Sequence, residues 1–125
     1  MNLWLAIAAI NGALAVLAGA FAAHGLSERL DPHALAIFET GARYHMYTAL
    51  ALAVTAIATR ERFGFCAKLS AWMFLSGIVL FSGSLYAFAL TQAHWLVFVT
   101  PFGGIAMVAG WIALAIAAFG SGLKA

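Results

Sequence analysis

From residue 69 to residue 123 the chain contains no Asp, Glu, Lys or Arg. A short chain leaves much of its surface exposed, and solubility needs polar groups there, so such a stretch does not fit inside a small water-soluble core. A helix needs about 20 apolar residues to cross a hydrocarbon core of about 30 Å. The stretch therefore holds two crossings, with a break near Thr91-Gln92-Ala93-His94 and Thr100-Pro101 a few residues on. The spacing predicts helices over 69–90 and 95–119.

The rest of the chain agrees. Hydrophobic residues make up 66% and charged residues 8%, against about 25% charged in soluble domains. This excludes an ordinary soluble enzyme, a disordered chain and a disulfide scaffold. Six basic residues and a net charge of +2 do not make a nucleic-acid surface. The single cysteine, Cys66, excludes an internal disulfide and a CxxC motif. The whole chain, 1–125, reads as one domain.

Residues 3–23 form a charge-free run. Ala18, Ala20 and Ala23 imitate a signal-peptide cleavage site, but no Lys or Arg precedes the run and it exceeds a normal signal core. It is read as a retained first helix. Asp31-Pro32 then marks a helix start, since Asp caps free N–H groups and Pro fits the first turn. The second helix is expected over 32–59, with Glu39 and Arg43 spaced as a solvated i,i+4 pair. Arg60, Glu61, Arg62 and Lys68 form a short charged loop. The expected fold is an antiparallel bundle of four transmembrane helices, 3–23, 32–59, 69–90 and 95–119.

Lipid gives helices no hydrophobic reason to associate, so small residues that allow close packing replace it. Gly12 and Gly19 lie on such a stripe with Ala8 and Ala15, and Gly103 and Gly110 with Ala106, Ala113 and Ala117. Ser70, Gly77 and Ser84 are spaced by heptads, with Gly83 beside them. Helix two carries a polar stripe of Gly41, His45, Thr48, Thr55 and Thr59. Its Thr hydroxyls bond their own helix carbonyls or serve as glue between helices; glue is the favoured reading. Trp and Tyr gather near span ends, as membrane interfaces favour. Trp111 is the exception and is expected to pack mid-span.

Gly19-Ala20-Phe21-Ala22-Ala23-His24-Gly25-Leu26, Phe81-Ser82-Gly83-Ser84-Leu85-Tyr86 and Thr100-Pro101-Phe102-Gly103-Gly104 occur in that order across four hydrophobic spans, followed by Gly110-Trp111. The pattern resembles the small bacterial membrane family called domain of unknown function 423, and is related to the eukaryotic transmembrane protein 256 family. The resemblance covers nearly the whole chain. It implies four helices in the bacterial cytoplasmic membrane and brings no established activity. The family pattern Tyr-Gln-x-x-His near the start of helix two reads Tyr44-His45-x-x-Thr48 here. The histidine thus occupies the Gln place, and no histidine stands at position 48.

Chemical signatures are absent: no GxSxG, P-loop, HExxH or dinucleotide glycine pattern occurs. The chain is therefore read as a non-enzyme without cofactor. An antiparallel layout puts His24, His33, His45 and His94 on one membrane side with Glu28, Asp31 and Glu39. Histidines with carboxylates suit a divalent metal or a pH sensor. The plain alternative is that polar residues collect at span ends, and it is favoured because no ligand spacing is present. Three functions stay open: a structural or accessory membrane protein, a small transporter or channel acting as an oligomer, and a metal- or cofactor-binding protein using the histidine side. Expected partners are the bilayer, other membrane proteins or further copies of the chain. Basic residues favour the cytoplasmic side; Arg60, Arg62, Lys68 and Lys124 outnumber Arg29 and Arg43 and predict both termini there.

Overall fold

The computed structural model describes residues 1–58 and 64–123, with side chains to residue 120. Helix α1 runs Leu3–His24, followed by a 3-10 turn at Leu26–Glu28. Helix α2 is Pro32–Ala58 and α3 is Phe65–Gly77. A π-helical turn, Ile78–Ser82, leads into α4, Gly83–Thr91, and α5 is Leu96–Leu123. Helix α3, the π turn and α4 form one rod.

Local chemistry sets the boundaries. Asn2 Oδ1 accepts from the Leu5 N–H at the start of α1, and Asp31 Oδ1 accepts from the Ala34 N–H at 2.7 Å. Pro32 follows that cap as the first residue of α2, where its missing N–H costs nothing. Helix α4 ends at Gln92, which takes a left-handed conformation with φ 58° while its N–H still reaches the Phe88 carbonyl. The rod begins at residue 65, not 69. Lys68 is helical and not part of the loop. Thr59, Arg60, Glu61, Arg62 and Lys124 lie outside the described residues. Pro101 sits inside α5; Val97 there loses its regular hydrogen bond, yet the helix continues through it.

Neighbouring rods are antiparallel. Asn2 reaches the Ala56 carbonyl, and Asn11 meets His45 further along. Tyr86 packs against Gly41, while Phe74 clusters with Leu52. On the far side Ser84 pairs with Thr100, a Gly77 Cβ would meet Met107, and Ser70 bonds the Gly110 carbonyl. Helix α1 packs along α2, α2 along α3 and α4, and these along α5, which barely meets α2. The rods thus form a bent row, open between α2 and α5.

Two apolar clusters fill the row. One holds Ala8, Ala51, Leu52, Ala71 and Phe74; the other holds Ala22, Leu26, Phe38 and Ala89. The outer faces are apolar as well: Leu14, Leu17, Val54, Ile57, Ile105 and Ile112 are all exposed. Such a belt far exceeds the patches a soluble monomer tolerates. Three helical segments, Leu3–Glu28, Phe65–Thr91 and His94–Gly120, are long and apolar enough to cross a membrane. Helix α2 has the length, but His33, Glu39, Arg43 and His45 in its first half reduce its apolarity.

Candidate functional site

Between the two apolar clusters lies a polar connection. Helix α1 buries Ala8, Ala15 and Ala22 against α2, a heptad spacing that keeps one face toward its partner. Asn11 falls on that same face. Its Nδ2 donates to the Ile7 carbonyl at 2.9 Å, which turns Oδ1 toward α2. There His45 Nε2 lies 3.0 Å from Asn11 Oδ1. A carboxamide oxygen only accepts, so Nε2 carries the hydrogen. The neutral ring then has a lone pair on Nδ1, and the Tyr86 hydroxyl, 2.9 Å away, donates to it. One imidazole thus joins α1, α2 and α4 with both nitrogens engaged.

The surroundings fix this geometry. Phe38 lies against the Tyr86 ring with centroids 4.7 Å apart. A Cβ on Gly41 would stand 3.0 Å from that ring, so the glycine makes room for it. His45, Thr48 and Thr55 are all buried, and the Thr55 hydroxyl donates to the Ala51 carbonyl. The polar stripe of α2 therefore faces the interior. One turn before Tyr86, Ser82 in the π turn is fully buried, and its hydroxyl is the one buried side-chain polar atom without a partner among the described residues. π turns in helices often occur at functional sites.

The four histidines are not brought together. His24, His33 and His94 are exposed, and His94 packs edge-on to Phe88. His45 does not share their end. Helix α2 pairs with α1 along its whole length, so His45 sits opposite Asn11, about 20 Å of helix from His24. Among the described residues no three His, Cys, Asp or Glu side chains gather as a metal would require.

The glycines divide into two sets. A Cβ on Gly103 would fall on the backbone of Leu80 and Phe81, one on Gly110 would meet the Phe74 ring at 2.6 Å, and one on Gly77 would meet Met107. These three permit α5 to approach the rod. Gly12 and Gly19 face open space, and a Gly83 Cβ would meet only the Ile78 carbonyl at 3.9 Å. Sequence spacing placed those three at helix contacts; on α1 the stripe's Ala8 and Ala15 are indeed buried, but Asn11 and Ala22 complete the contact face in place of Gly12 and Gly19. Trp111 is half-exposed and meets the edge of Phe74. Asn11 and Ser82 were not singled out by the sequence reading. Asn11 had a signal, as the one carboxamide inside the first apolar run; Ser82 had only its place in the Phe81–Tyr86 motif, with nothing to mark its burial.

A helical architecture with an apolar exterior, whose few buried polar groups bond mostly within the bundle, defines an integral membrane protein. The chain belongs to the family described as "Protein of unknown function (DUF423)", which matches residues 18–104. It is 43% identical over 119 residues to the UPF0382 membrane protein YwdK of Bacillus subtilis, covering 94% of this chain and 97% of that one. It is 42% identical over 120 residues to a UPF0382 membrane protein of Haemophilus influenzae, covering 96% of each. A UPF0382 membrane protein of Staphylococcus aureus, SAB0533, is 39% identical over 119 residues, covering 95% of this chain and 97% of that one. No solved structure matches the chain.

Proposed function

We propose that this chain is a structural or accessory protein of the bacterial cytoplasmic membrane, crossing the bilayer four times and catalysing no reaction. The observation that carries the reading is the use made of His45. A histidine inside a membrane span is by default a candidate for transport or proton transfer. Here both ring nitrogens are taken up by Asn11 and Tyr86, which ties three helices together. Polar groups bonded to one another in this way hold a bundle and leave no free site for a solute. Helix α2 counts as a crossing in this reading, because His45, Thr48 and Thr55 are buried against its neighbours while Leu50, Val54 and Ile57 face outward.

A second reading, a small transporter acting as an oligomer, draws on the same ring, since His45 is an ionisable group at mid-bundle. Proteoliposomes loaded with a pH-sensitive dye separate the two. The expected result is a proton leak equal to that of protein-free liposomes. A leak that appears with the protein and vanishes in His45→Gln overturns the accessory reading.

A further inference from the structure

Helix α2 has one face that no neighbour covers. Arg43, Leu50 and Ile57 recur there at heptad spacing, with Thr40, Tyr47 and Val54 between them, and all but the half-buried Thr40 are exposed. Phe38, His45, Leu52 and Thr55 are buried on the opposite side. We infer that the exposed face is the seam of a homodimer, in which the two copies of α2 run parallel and Glu39 of one copy pairs with Arg43 of the partner subunit. The inference rests on the bilayer-spanning reading above and adds a partner to it.

The charges on this face call for that partner. His45 stands opposite Asn11, about 20 Å of helix from the His24 end. Arg43, two residues away, is therefore near mid-span, and Glu39 lies one turn nearer the α1–α2 connection. Both are exposed. The i,i+4 pair that their spacing allows is not formed, and among the described residues neither has a partner charge. Thr40, between them, turns its hydroxyl back to the Ala36 carbonyl at 2.9 Å and so brings no unmet donor to the seam. Ionisable side chains within membrane spans are costly against lipid and pair with one another inside protein. Three helical segments are apolar enough to cross alone, and α2 is not among them. A second helix laid on this face takes both charges out of lipid.

A second copy fits because the face complements itself. Copies inserted in the same orientation are related by a twofold axis along the bilayer normal, which sets identical helices parallel and equal residues opposite one another. Each Arg43 then lies one helical turn from Glu39 of the partner subunit. Two carboxylates and two guanidiniums share the seam and leave it without net charge. An arginine carries five donors in a planar fork, enough to bond carboxylates on both chains. From Leu50 to Ile57 the seam is apolar, with the alternating three- and four-residue steps that knobs-into-holes packing uses.

The test uses two differently tagged full-length copies, co-expressed and captured from mild detergent through one tag. Parent copies are expected to co-purify. Glu39→Arg in both copies puts four cations in the seam and is expected to abolish co-purification, as is Arg43→Glu in both, with four anions. Glu39→Arg in one copy and Arg43→Glu in the other restores opposite charges across the seam alone, and is expected to restore co-purification. A pair formed within each helix predicts no such recovery, because each of those chains carries two like charges. Parent copies that fail to co-purify, like-charge variants that still do, or a mixed pair that does not recover each overturn the proposal. A second measurement leaves the charges untouched. With Cys66→Ala as background, Val54→Cys is expected to give a disulfide-linked dimer when membranes are oxidised with iodine, and Ile116→Cys, exposed on α5, to stay monomeric. Cross-linking at position 54 no stronger than at position 116 overturns the seam. Alkaline carbonate extraction separates the two levels of the argument: release of the chain from membranes overturns the bilayer-spanning reading itself, whereas an embedded monomer overturns only the dimer.

Discussion

Asn11 is a single carboxamide in an otherwise apolar helix, and its worth lies in what His45 would lose without it. Asn11→Leu leaves the His45 Nε2–H facing alkyl groups, and a buried donor with no acceptor costs its desolvation. Tyr86→Phe instead leaves a bare lone pair on Nδ1, a lesser penalty because unmet acceptors are better tolerated than unmet donors. We expect Asn11→Leu to lower thermal stability in detergent more than Tyr86→Phe does. The double variant Asn11→Leu/His45→Leu is expected to recover part of the loss, with a coupling of about 1 kcal/mol, the scale of interhelical hydrogen bonds in lipid. Purely additive losses would show that the contact at 3.0 Å contributes nothing. The histidine itself was legible in the sequence, but its position was not. The antiparallel layout put His45 on one membrane side with the other three histidines, whereas the structure sets its depth by pairing α2 with α1 from Ala56 to Phe38.

At the scale of helices, the two sets of glycines make opposite predictions. Gly103→Ala drives a Cβ into the backbone of Leu80 and Phe81, which has no rotamer to yield. Gly83→Ala adds a methyl group with one distant neighbour, and alanine favours a helix over glycine by roughly 1 kcal/mol. Gly103→Ala is therefore expected to lower the melting temperature in detergent, and Gly83→Ala to hold or raise it; equal effects would refute the close approach at Gly103. Sequence periodicity fixed the α5 face, because Gly103 and Gly110 have few rivals for a close contact. On α1 it found Ala8 and Ala15 but misplaced Gly12 and Gly19. Alanine is so frequent there that stripes through Gly12 and through Asn11 fit equally well, and only the partner helix decides between them. The π turn at Ile78–Ser82 was not legible in the sequence: Gly77 and Gly83 flank it, but such glycines equally suit an unbroken helix with close contacts.

The whole molecule has two unlike ends, and this bears on its orientation. One end carries the α1–α2 and α4–α5 connections with exposed His24, Arg29, Asp31, His33 and His94. The other carries the N-terminus, Lys68 and the tryptophan pair Trp4–Trp72, whose rings meet edge to face at 5.1 Å. Basic residues in short flanking segments set orientation, and the richer side stays in the cytoplasm; acidic residues count little. The Trp4 end has Arg60, Arg62, Lys68 and Lys124 in sequence, and the histidine end has Arg29 with Arg43 drawn into the span. On our four-crossing reading both termini are cytoplasmic, and His24, His33 and His94 face outward. A reporter fused after Ala125 checks this. Green fluorescent protein there should be bright and alkaline phosphatase inactive. Moving charge should then move the protein: replacing Arg60, Arg62 and Lys68 by Gln while adding two lysines beside Arg29 inverts the bias. A C-terminal phosphatase that becomes active in that variant alone fits the rule. One already active in the parent would place both termini outside and turn the histidine end toward the cytoplasm.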